Sequence, residues 1–217
     1  YLSLGLGEGS RTIKLFALPP TPEHLHFLAA FVRVLIQAGG QYRTSHADDR
    51  EIEDAVAAIY SVDADQRRLF TLANLLPRPL AQHLRRWVQG GQYAALFDKV
   101  QDTLTRAEFQ CLDFAGMASY PRSPEPLLLY VLHRMSAVVQ DPARARQFKL
   151  FVLDEAWRFV RDDTIRAYLT EALKTWRKHN AAVFLATQSS VDFMHADLLR
   201  TVIESCPTKV FLSTPGF

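Results

Sequence analysis

Apolar residues recur at helical spacing in the first half of the chain. Thr21 fits the N-cap of a helix and Pro22 fits its first turn, and the apolar run that follows reaches Ile36 before Gly39 and Gly40 interrupt it. A run this apolar predicts a first helix that is buried on most of its sides.

A polar segment at residues 41–50 leads into two further helical patterns. The first places four side chains on one helical face: Ile52, Val56, Ile59 and Tyr60. The second begins after Pro79 and repeats this spacing: Leu80, Leu84, Trp87 and Val88. Gly90 and Gly91 then favour the end of this helix, with a residue in the left-handed backbone conformation. Residues 42–100 are therefore predicted to be wholly helical.

The pattern changes at residue 109 to short apolar runs separated by helical segments. Four runs predict strands: residues 109–114, 148–153, 182–186 and 210–212. Two segments predict helices: near residues 124–140 and near 164–179. Residues 1–6 also alternate like a strand. This order is typical of an α/β fold, a parallel sheet with helical crossovers, in which ligands bind beyond the carboxyl ends of the strands.

The composition narrows the class of protein without naming a function. The chain has 217 residues, a hydrophobic fraction of 48% and a formal net charge of +2, from 25 Lys or Arg and 23 Asp or Glu. These values are typical of a globular protein and exclude a disordered or strongly basic chain. Nucleic-acid binding is an option that nothing in the sequence indicates.

Neither a membrane span nor a disulfide framework is visible in the sequence. No apolar run reaches the roughly 18 residues of a transmembrane helix, and no charged segment with an apolar signal core opens the chain. Cys111 and Cys206 lack a CxxC spacing. We expect a cytoplasmic protein in a reducing compartment. The chain begins with Tyr1 in place of Met, so we also expect it to be part of a longer protein.

Two adjacent carboxylates, Asp154 and Glu155, stand directly after the predicted strand 148–153. In a nucleotide hydrolase the first acid of such a pair holds Mg²⁺, usually through water, and the second accepts a proton from the attacking water. The pair would then be a Walker B motif. The alternative is that one of the acids caps the helix that follows, because acids are common at helix starts.

A polar cluster, Thr-Gln-Ser-Ser at residues 187–190, follows the predicted strand 182–186 and is expected at the same edge of the sheet. The amide of Gln188 can hydrogen-bond a phosphate oxygen or the lytic water, and so sense the γ-phosphate of a nucleotide. The alternative is a Ser/Thr turn with Gln188 in solvent.

The helix between these strands has basic residues beside its predicted buried stripe. The stripe consists of Ile165, Leu169, Ala172, Leu173 and Trp176. Arg177 is a candidate arginine finger, which would neutralise charge on the phosphoryl group transferred at a neighbouring subunit, and Lys178 and Arg200 compete for this role. The alternative is that all three are solvated surface charges.

The sequence supports neither a phosphate-binding loop nor a histidine metal site. No Gly-x-x-x-x-Gly-Lys-Ser/Thr phosphate loop occurs, and the Gly-rich residues 5–10 lack the lysine and contain an acid, so they are predicted to form a turn. Five histidines have no metal-ligand spacing and are expected to be surface or packing residues: His24, His26, His83, His133 and His179.

Several segments occur together in an order that resembles one family. They are Gly-Gln-Tyr-Ala-Ala-Leu-Phe-Asp at 91–98, Phe-Gln-Cys-Leu-Asp-Phe-Ala-Gly-Met at 109–117, Leu-Phe-Val-Leu-Asp-Glu-Ala-Trp at 150–157, Thr-Trp-Arg-Lys-His-Asn at 175–180, Ala-Thr-Gln-Ser-Ser at 186–190 and Ile-Glu-Ser-Cys-Pro-Thr-Lys-Val-Phe-Leu at 203–212. This ordered set resembles the conjugal-transfer, type IV secretion ATPases of the TrbE/CagE class. The resemblance spans most of the chain.

The resemblance implies a RecA-like P-loop NTPase fold with an all-helical insertion. Residues 1–41 would be the N-terminal part of the ATPase domain, residues 42–107 the helical insertion, and residues 108–217 the ATPase core. Such a protein would act as a homo-oligomer, a hexamer or a similar assembly, together with other type IV secretion components. It would lie at the cytoplasmic face of the bacterial inner membrane and energise pilus assembly and substrate transfer.

The resemblance also implies roles for individual residues. Asp154 and Glu155 would be the Walker B acids, with Asp154 holding Mg²⁺ through water. Thr187 and Gln188 would contact ATP, with Gln188 as the phosphate sensor, and Arg177 would belong to the basic pair between the motifs. The Walker A lysine of the family has no counterpart here and is expected upstream of this chain, so we expect the chain alone to be inactive.

Two other functions stay open from the sequence. One is a DNA-translocating coupling-type ATPase or helicase, because Asp-Glu-Ala-Trp at residues 154–157 resembles a helicase acid box. The other is a non-catalytic scaffold that docks secretion components through the helical insertion.

Overall fold

A computed structural model describes residues 2–3, 11–38, 40, 42–104, 107–114, 124–155, 163–187 and 196–212. The chain forms two compact units, Tyr1–Leu127 and Leu128–Phe217, and the boundary between them falls within a helix. The predicted division into residues 1–41, 42–107 and 108–217 stays a prediction.

The described part of the first unit is mainly helical. Its α-helices are α1 (Pro22–Gln37), α2 (His46–Ala58), α3 (Leu69–Leu75), α4 (Arg78–Ala81) and α5 (Ala94–Phe97). Short 3₁₀ turns occur at Leu15–Ala17, Ile59–Ser61 and Gln82–Leu84. Two short strands, β1 (Leu2–Ser3) and β2 (Leu112–Asp113), pair in parallel.

Helix α1 has the start and the burial that its sequence predicts. The Thr21 hydroxyl accepts a hydrogen bond from the His24 N–H at 3.2 Å, and Pro22 is the first helical residue. Ten of the 16 residues of α1 are buried. The prediction of a helix buried on most of its sides is confirmed.

Helix α2 begins inside the segment that we expected to be a polar connection. Ser45 and Asp48 form a reciprocal capping box, in which the Asp48 N–H donates to the Ser45 hydroxyl at 3.2 Å and the Ser45 N–H donates to the Asp48 carboxylate at 2.8 Å. The cap starts the helix at His46, and Ile52 and Val56 are buried on its inner face as predicted.

The third predicted helix is wrong beyond α4, because the chain continues as the 3₁₀ turn Gln82–Leu84 and then as irregular turns. The apolar residues of the pattern are nevertheless buried. The Trp87 indole N–H donates to the Leu35 carbonyl at 3.0 Å, and its ring stacks on Tyr93 at 4.5 Å between centroids. Packing against α1 therefore overrides helical propensity in this short segment.

Gly90 and Gly91 reverse the chain direction after Trp87. Gly90 has a φ of +85°, which is the left-handed conformation predicted for a stop. A Cβ on Gly91 would lie 2.3 Å from the Arg85 carbonyl oxygen, so the close approach of the two backbone segments requires glycine.

A buried carboxylate, Asp98, ties this reversal to helix α3. Asp98 is 6% exposed. Its Oδ1 accepts the Phe70 N–H at 2.9 Å, and its Oδ2 accepts the Gln89 N–H at 2.7 Å. Phe70 lies in the first turn of α3, where N–H groups have no intrahelical partner. Asp98 therefore caps this helix from a distant position in the sequence.

The second unit contains the strand-helix-strand unit that the pattern predicts. Its described elements are most of α6 (Pro124–Gln140), β3 (Lys149–Leu153), α7 (Asp163–Thr175), β4 (Ala181–Leu185) and α8 (Ala196–Ser205), with 3₁₀ turns at Pro142–Arg144 and Trp176–His179. Strands β3 and β4 are parallel, with α7 in the connection between them. The predicted strands 148–153 and 182–186 are confirmed within one residue at each end, and so is the predicted helix near residues 124–140. The predicted helix near residues 164–179 is α7 followed by the 3₁₀ turn Trp176–His179.

Two predicted strands differ from the structure. Within residues 109–114 only β2 forms a strand, and Phe109 is 90% exposed. Residues 210–212 form no strand, and their side chains are 74–85% exposed. Both runs are apolar, but a strand needs a neighbour for its N–H and C=O groups. The single predicted sheet is, in the described residues, two two-stranded sheets.

One face of the β3–β4 pair is packed and the other is open. Phe151 meets Trp176 edge-on at 5.7 Å between ring centroids. On the opposite face, Leu150, Val152 and Phe184 are each 55% exposed. The 3₁₀ turn Trp176–His179, the described end of the connection to β4, therefore packs against the Phe151 face of the pair. Among the described helices, none has both the length and the apolar character that crossing a membrane requires.

The cap formed by Asp98 is testable by removing its two oxygen acceptors. We expect Asp98→Ala to lower the free energy of unfolding by about 1–3 kcal/mol for each buried N–H left unsatisfied. Urea unfolding measures the loss, and hydrogen exchange should show reduced protection at the amides of Phe70 and Gln89. The exposed Asp65 provides the control, Asp65→Ala. Equal losses in the two variants would contradict the capping role.

Candidate functional site

The register of β3 and β4 brings the ends of both strands to one edge. Five residue pairs align the strands, from Lys149 opposite Ala181 to Leu153 opposite Leu185. The Ala186 N–H then donates to the Leu153 carbonyl at 3.0 Å, which continues the ladder past the last pair. The residues that follow each strand at its carboxyl end therefore lie at the same edge.

The acidic pair directly follows β3 at this edge. Asp154 is exposed, and its Oδ1 accepts the N–H of Glu155 at 2.9 Å. Glu155 is half-buried and has a φ of +50°, a left-handed conformation that side chains other than Gly, Asn and Asp rarely adopt. Neither acid lies in the first turn of α7, which begins at Asp163. The backbone thus turns sharply at the point where the two carboxylates leave the strand.

The polar cluster after β4 is described only at its first residue. Thr187 is half-buried and lies two residues beyond the last pair of the ladder, as Glu155 does on the neighbouring strand. Gln188, which we predicted to be the phosphate sensor, lies outside the described residues, as do Ser189 and Ser190. The structure therefore places Thr187 and the acidic pair at one edge and leaves the role of Gln188 a prediction.

The candidate arginine fingers lie elsewhere. Arg177 and Lys178 are exposed in the 3₁₀ turn Trp176–His179, just before β4 begins, and so at the opposite edge of the strand pair from Asp154. Arg200 lies on α8, where its guanidinium Nε donates to the Glu204 carboxylate at 2.8 Å. The predicted buried stripe of α7 is present, although Leu173 is only half-buried.

Two residues that the sequence analysis did not single out hold the turn that carries Arg177. The Lys149 N–H donates to the Asn180 carbonyl at 3.0 Å, and the Lys149 ammonium donates to the His179 carbonyl at 2.9 Å. The Asn180 side-chain amide donates to the Arg146 carbonyl at 3.2 Å. Asn180 has a φ of +56°, and an Asn between a helical pattern and an apolar run is the signal that predicts such an ending.

Two of the histidines, His24 and His83, pack against aromatic rings, whereas His26 and His179 are exposed. His24 is buried and stacks on Phe27 at 6.0 Å, and burial lowers its pKa below the usual value. His83 stacks on Tyr42 at 4.5 Å.

On helix α7, burial raises the pKa of the Tyr168 hydroxyl to about 12. Among the described residues, no three His, Cys, Asp or Glu side chains gather into a metal-binding group.

Comparison with known proteins gives relatives along nearly the whole chain. The chain is 29% identical, over 97% of its length, to the type IV secretion system protein VirB4 of Bartonella quintana, and 30% identical over the same share to that of Bartonella henselae. It is 26% identical over 99% of its length to the type IV secretion system protein PtlC of Bordetella pertussis. The chain spans 27% of the length of each of these relatives.

A solved structure supports the same relationship at the level of the fold. The structure of VirB4 of Thermoanaerobacter pseudethanolicus matches with a TM-score of 0.67 at 17% identity, over 92% of this chain and 60% of that chain. No protein-family model matches the chain. The resemblance to the type IV secretion class that the sequence predicts is confirmed by these relatives.

The left-handed backbone at Glu155 is testable by comparing two truncations. Both Glu155→Gly and Glu155→Ala remove the carboxylate, but only glycine adopts a positive φ without steric cost. We expect the Gly variant to be more stable than the Ala variant by about 1 kcal/mol in urea unfolding. The exposed Glu171 on α7 is the control, where Ala should be the more stable of the two. The same order at both positions would contradict the strained turn.

Proposed function

We propose that this chain is part of an ATP-hydrolysing motor of a bacterial conjugation or type IV secretion apparatus, which energises pilus assembly and substrate transfer. The observation that carries the proposal is the acidic pair Asp154-Glu155 at the carboxyl edge of the parallel β3–β4 pair, beside Thr187. The similarity to VirB4 and PtlC, both type IV secretion system proteins, supports the apparatus.

The proposed fold is a RecA-like P-loop NTPase with a helical insertion. The parallel β3–β4 pair with α7 in its connection is the unit from which such sheets are built. The mainly helical first unit is consistent with an insertion, and the fold match to a solved VirB4 structure supports both features. In open parallel sheets of this kind, ligands bind beyond the carboxyl ends of the strands, where the acidic pair lies.

The residues at this edge fit a magnesium-nucleotide ligand. Mg²⁺ in phosphate sites is held by one or two carboxylates, waters and the phosphates themselves, so a cluster of three protein ligands is not required. Asp154 is an exposed carboxylate whose described hydrogen bond, from the Glu155 N–H, orients it at the strand end. Bound Mg²⁺ would neutralise charge on the phosphates of ATP, with Asp154 holding it through water.

The other residues at the site then have distinct tasks. Glu155 would accept the proton of the water that attacks the γ-phosphate, because a carboxylate next to the metal-binding acid is within reach of that water. Thr187 would donate its hydroxyl to a phosphate oxygen, and Gln188 would sense the γ-phosphate. Arg177 would act as the arginine finger.

The proposed partners follow from the same reasoning. A finger that lies at the opposite edge of the strand pair from its own acidic pair requires a neighbouring copy, so we propose a homo-oligomer, a hexamer or a similar ring. Other type IV secretion components would be further partners, at the cytoplasmic face of the inner membrane, as the similarity to type IV secretion system proteins suggests.

The proposal is tested by ATP hydrolysis with the full-length protein. We expect Mg²⁺-dependent turnover that falls by at least about a hundredfold in Glu155→Gln, because the variant loses the general base and keeps the shape of the side chain. Binding of ATP should persist. The control is Glu171→Gln, which changes an exposed glutamate on α7 and should leave turnover unchanged.

The outcomes separate the competing functions. Normal turnover in Glu155→Gln would remove the proposed base. No turnover in the wild-type protein would contradict the motor and favour the non-catalytic scaffold. Turnover that rises several-fold on addition of DNA would favour a DNA-translocating ATPase over a motor that acts on proteins.

A further inference from the structure

The turn that carries Arg177 is fastened to the start of β3 by three hydrogen bonds, which we call the clamp. The bonds run from the Lys149 N–H to the Asn180 carbonyl, from the Lys149 ammonium to the His179 carbonyl, and from the Asn180 side-chain amide to the Arg146 carbonyl. Two of them use side chains, so substitutions can remove them while the backbone ladder remains.

The rest of the turn is equally fixed. Trp176 is buried, and Phe151 of β3 meets its ring edge-on. Asn180 ends the turn in a left-handed conformation, and its N–H donates to the Arg177 carbonyl at 3.3 Å. The Lys149 ammonium meets the carbonyl end of the 3₁₀ turn, where a cation is favoured. The backbone of Arg177 is thus held on both sides.

The side chain of Arg177 is, by contrast, exposed. Within the described residues, neither Arg177 nor Lys178 has a side-chain hydrogen bond or an ion pair, whereas Arg200 is paired with Glu204. A guanidinium on a fixed backbone suits a planar, bidentate contact with phosphate oxygens better than a flexible ammonium does. The backbone of Arg177 is therefore fixed, while its guanidinium is available to donate hydrogen bonds.

The position of the turn determines which site Arg177 can serve. The turn lies before the first residue of β4, and Asp154 lies after the last residue of β3, with a five-residue parallel ladder between them. Such a ladder is about 15 Å long, which exceeds the reach of an arginine side chain. Arg177 therefore cannot contact a phosphate bound at the acidic pair of its own chain.

We propose that Lys149 and Asn180 are positioning residues that hold Arg177 for a nucleotide bound to a second copy of this chain. This inference rests on the proposed ATPase function. It adds a physical link between two sites, since β3 begins at the clamp with Lys149 and ends at Leu153, directly before Asp154. A change at the acidic pair of one copy is thereby connected through one strand to the arginine that serves its neighbour.

The test uses full-length protein and two kinds of variant. Lys149→Met together with Asn180→Gly removes both side-chain bonds, and glycine keeps the left-handed backbone. We expect kcat to fall about tenfold with the KM for Mg·ATP unchanged, because a displaced catalytic group loses transition-state contacts only. In an Arg177→Ala background the clamp substitutions should cause no further loss. Lys174→Met, which removes an exposed charge from α7, is the control.

A mixing experiment separates this role from a general structural one. Copies with the clamp substitutions retain Glu155, and copies with Glu155→Gln retain an intact clamp and Arg177. In a mixed ring, a clamp-variant copy beside a Glu155→Gln copy has every required group. We expect the mixture to hydrolyse ATP several-fold faster than the two separate variants combined, as should a mixture of Arg177→Ala and Glu155→Gln.

Each result is decisive. If wild-type protein shows turnover but the mixture gains nothing, or if the clamp substitutions reduce turnover further in the Arg177→Ala background, the positioning role is wrong and the ATPase function stands. If the wild-type protein shows no turnover, the proposed function and this inference both fail. If the double variant unfolds, the single variants Lys149→Met and Asn180→Gly provide the same two measurements.

Discussion

The parallel hydrogen-bond ladder between β3 and β4 is the constraint on which the candidate site depends. Its register places Asp154 and Thr187 just beyond the last pair, Leu153 opposite Leu185. A shift by one residue would turn Phe151 away from Trp176 and expose it on the other face, because side chains alternate along a strand. The same packing that buries Trp176 therefore aligns the acidic pair with the polar end of β4.

The first unit depends on polar contacts for a related reason. Its helices α3, α4 and α5 have only 7, 4 and 4 residues, and helices of one or two turns gain little stability from their own hydrogen bonds. Trp87 anchors the irregular segment to α1 through the Leu35 carbonyl, and Asp98 satisfies the N–H groups of Phe70 and Gln89. Buried polar groups that are fully paired fix a single arrangement where propensity alone would allow several.

Local signals were enough to predict some elements and not others. The start of α1 at Thr21-Pro22 and the strand before Asp154 follow from caps and apolar runs, which act within a few residues. The end of α4 depends on where Trp87 packs, and a strand at residues 210–212 would depend on a pairing neighbour, which no segment within the described ranges provides. In the candidate site, Asp154 and Glu155 could be recognised from the sequence alone, because they directly follow an apolar run that predicts a strand. The role of Lys149 was not, because its partner carbonyl lies 30 residues away in sequence.

The central claim is that a magnesium nucleotide binds at the carboxyl edge of β3 and β4. The most direct measurement is a cryo-EM structure of the full-length protein with Mg²⁺ and a non-hydrolysable ATP analogue. We expect the γ-phosphate beside Asp154 and Thr187, with the metal within water-bridging distance of the Asp154 carboxylate and Arg177 of a neighbouring copy facing the phosphate. A nucleotide bound at any other surface of this chain, with solvent alone beside Asp154, would contradict it.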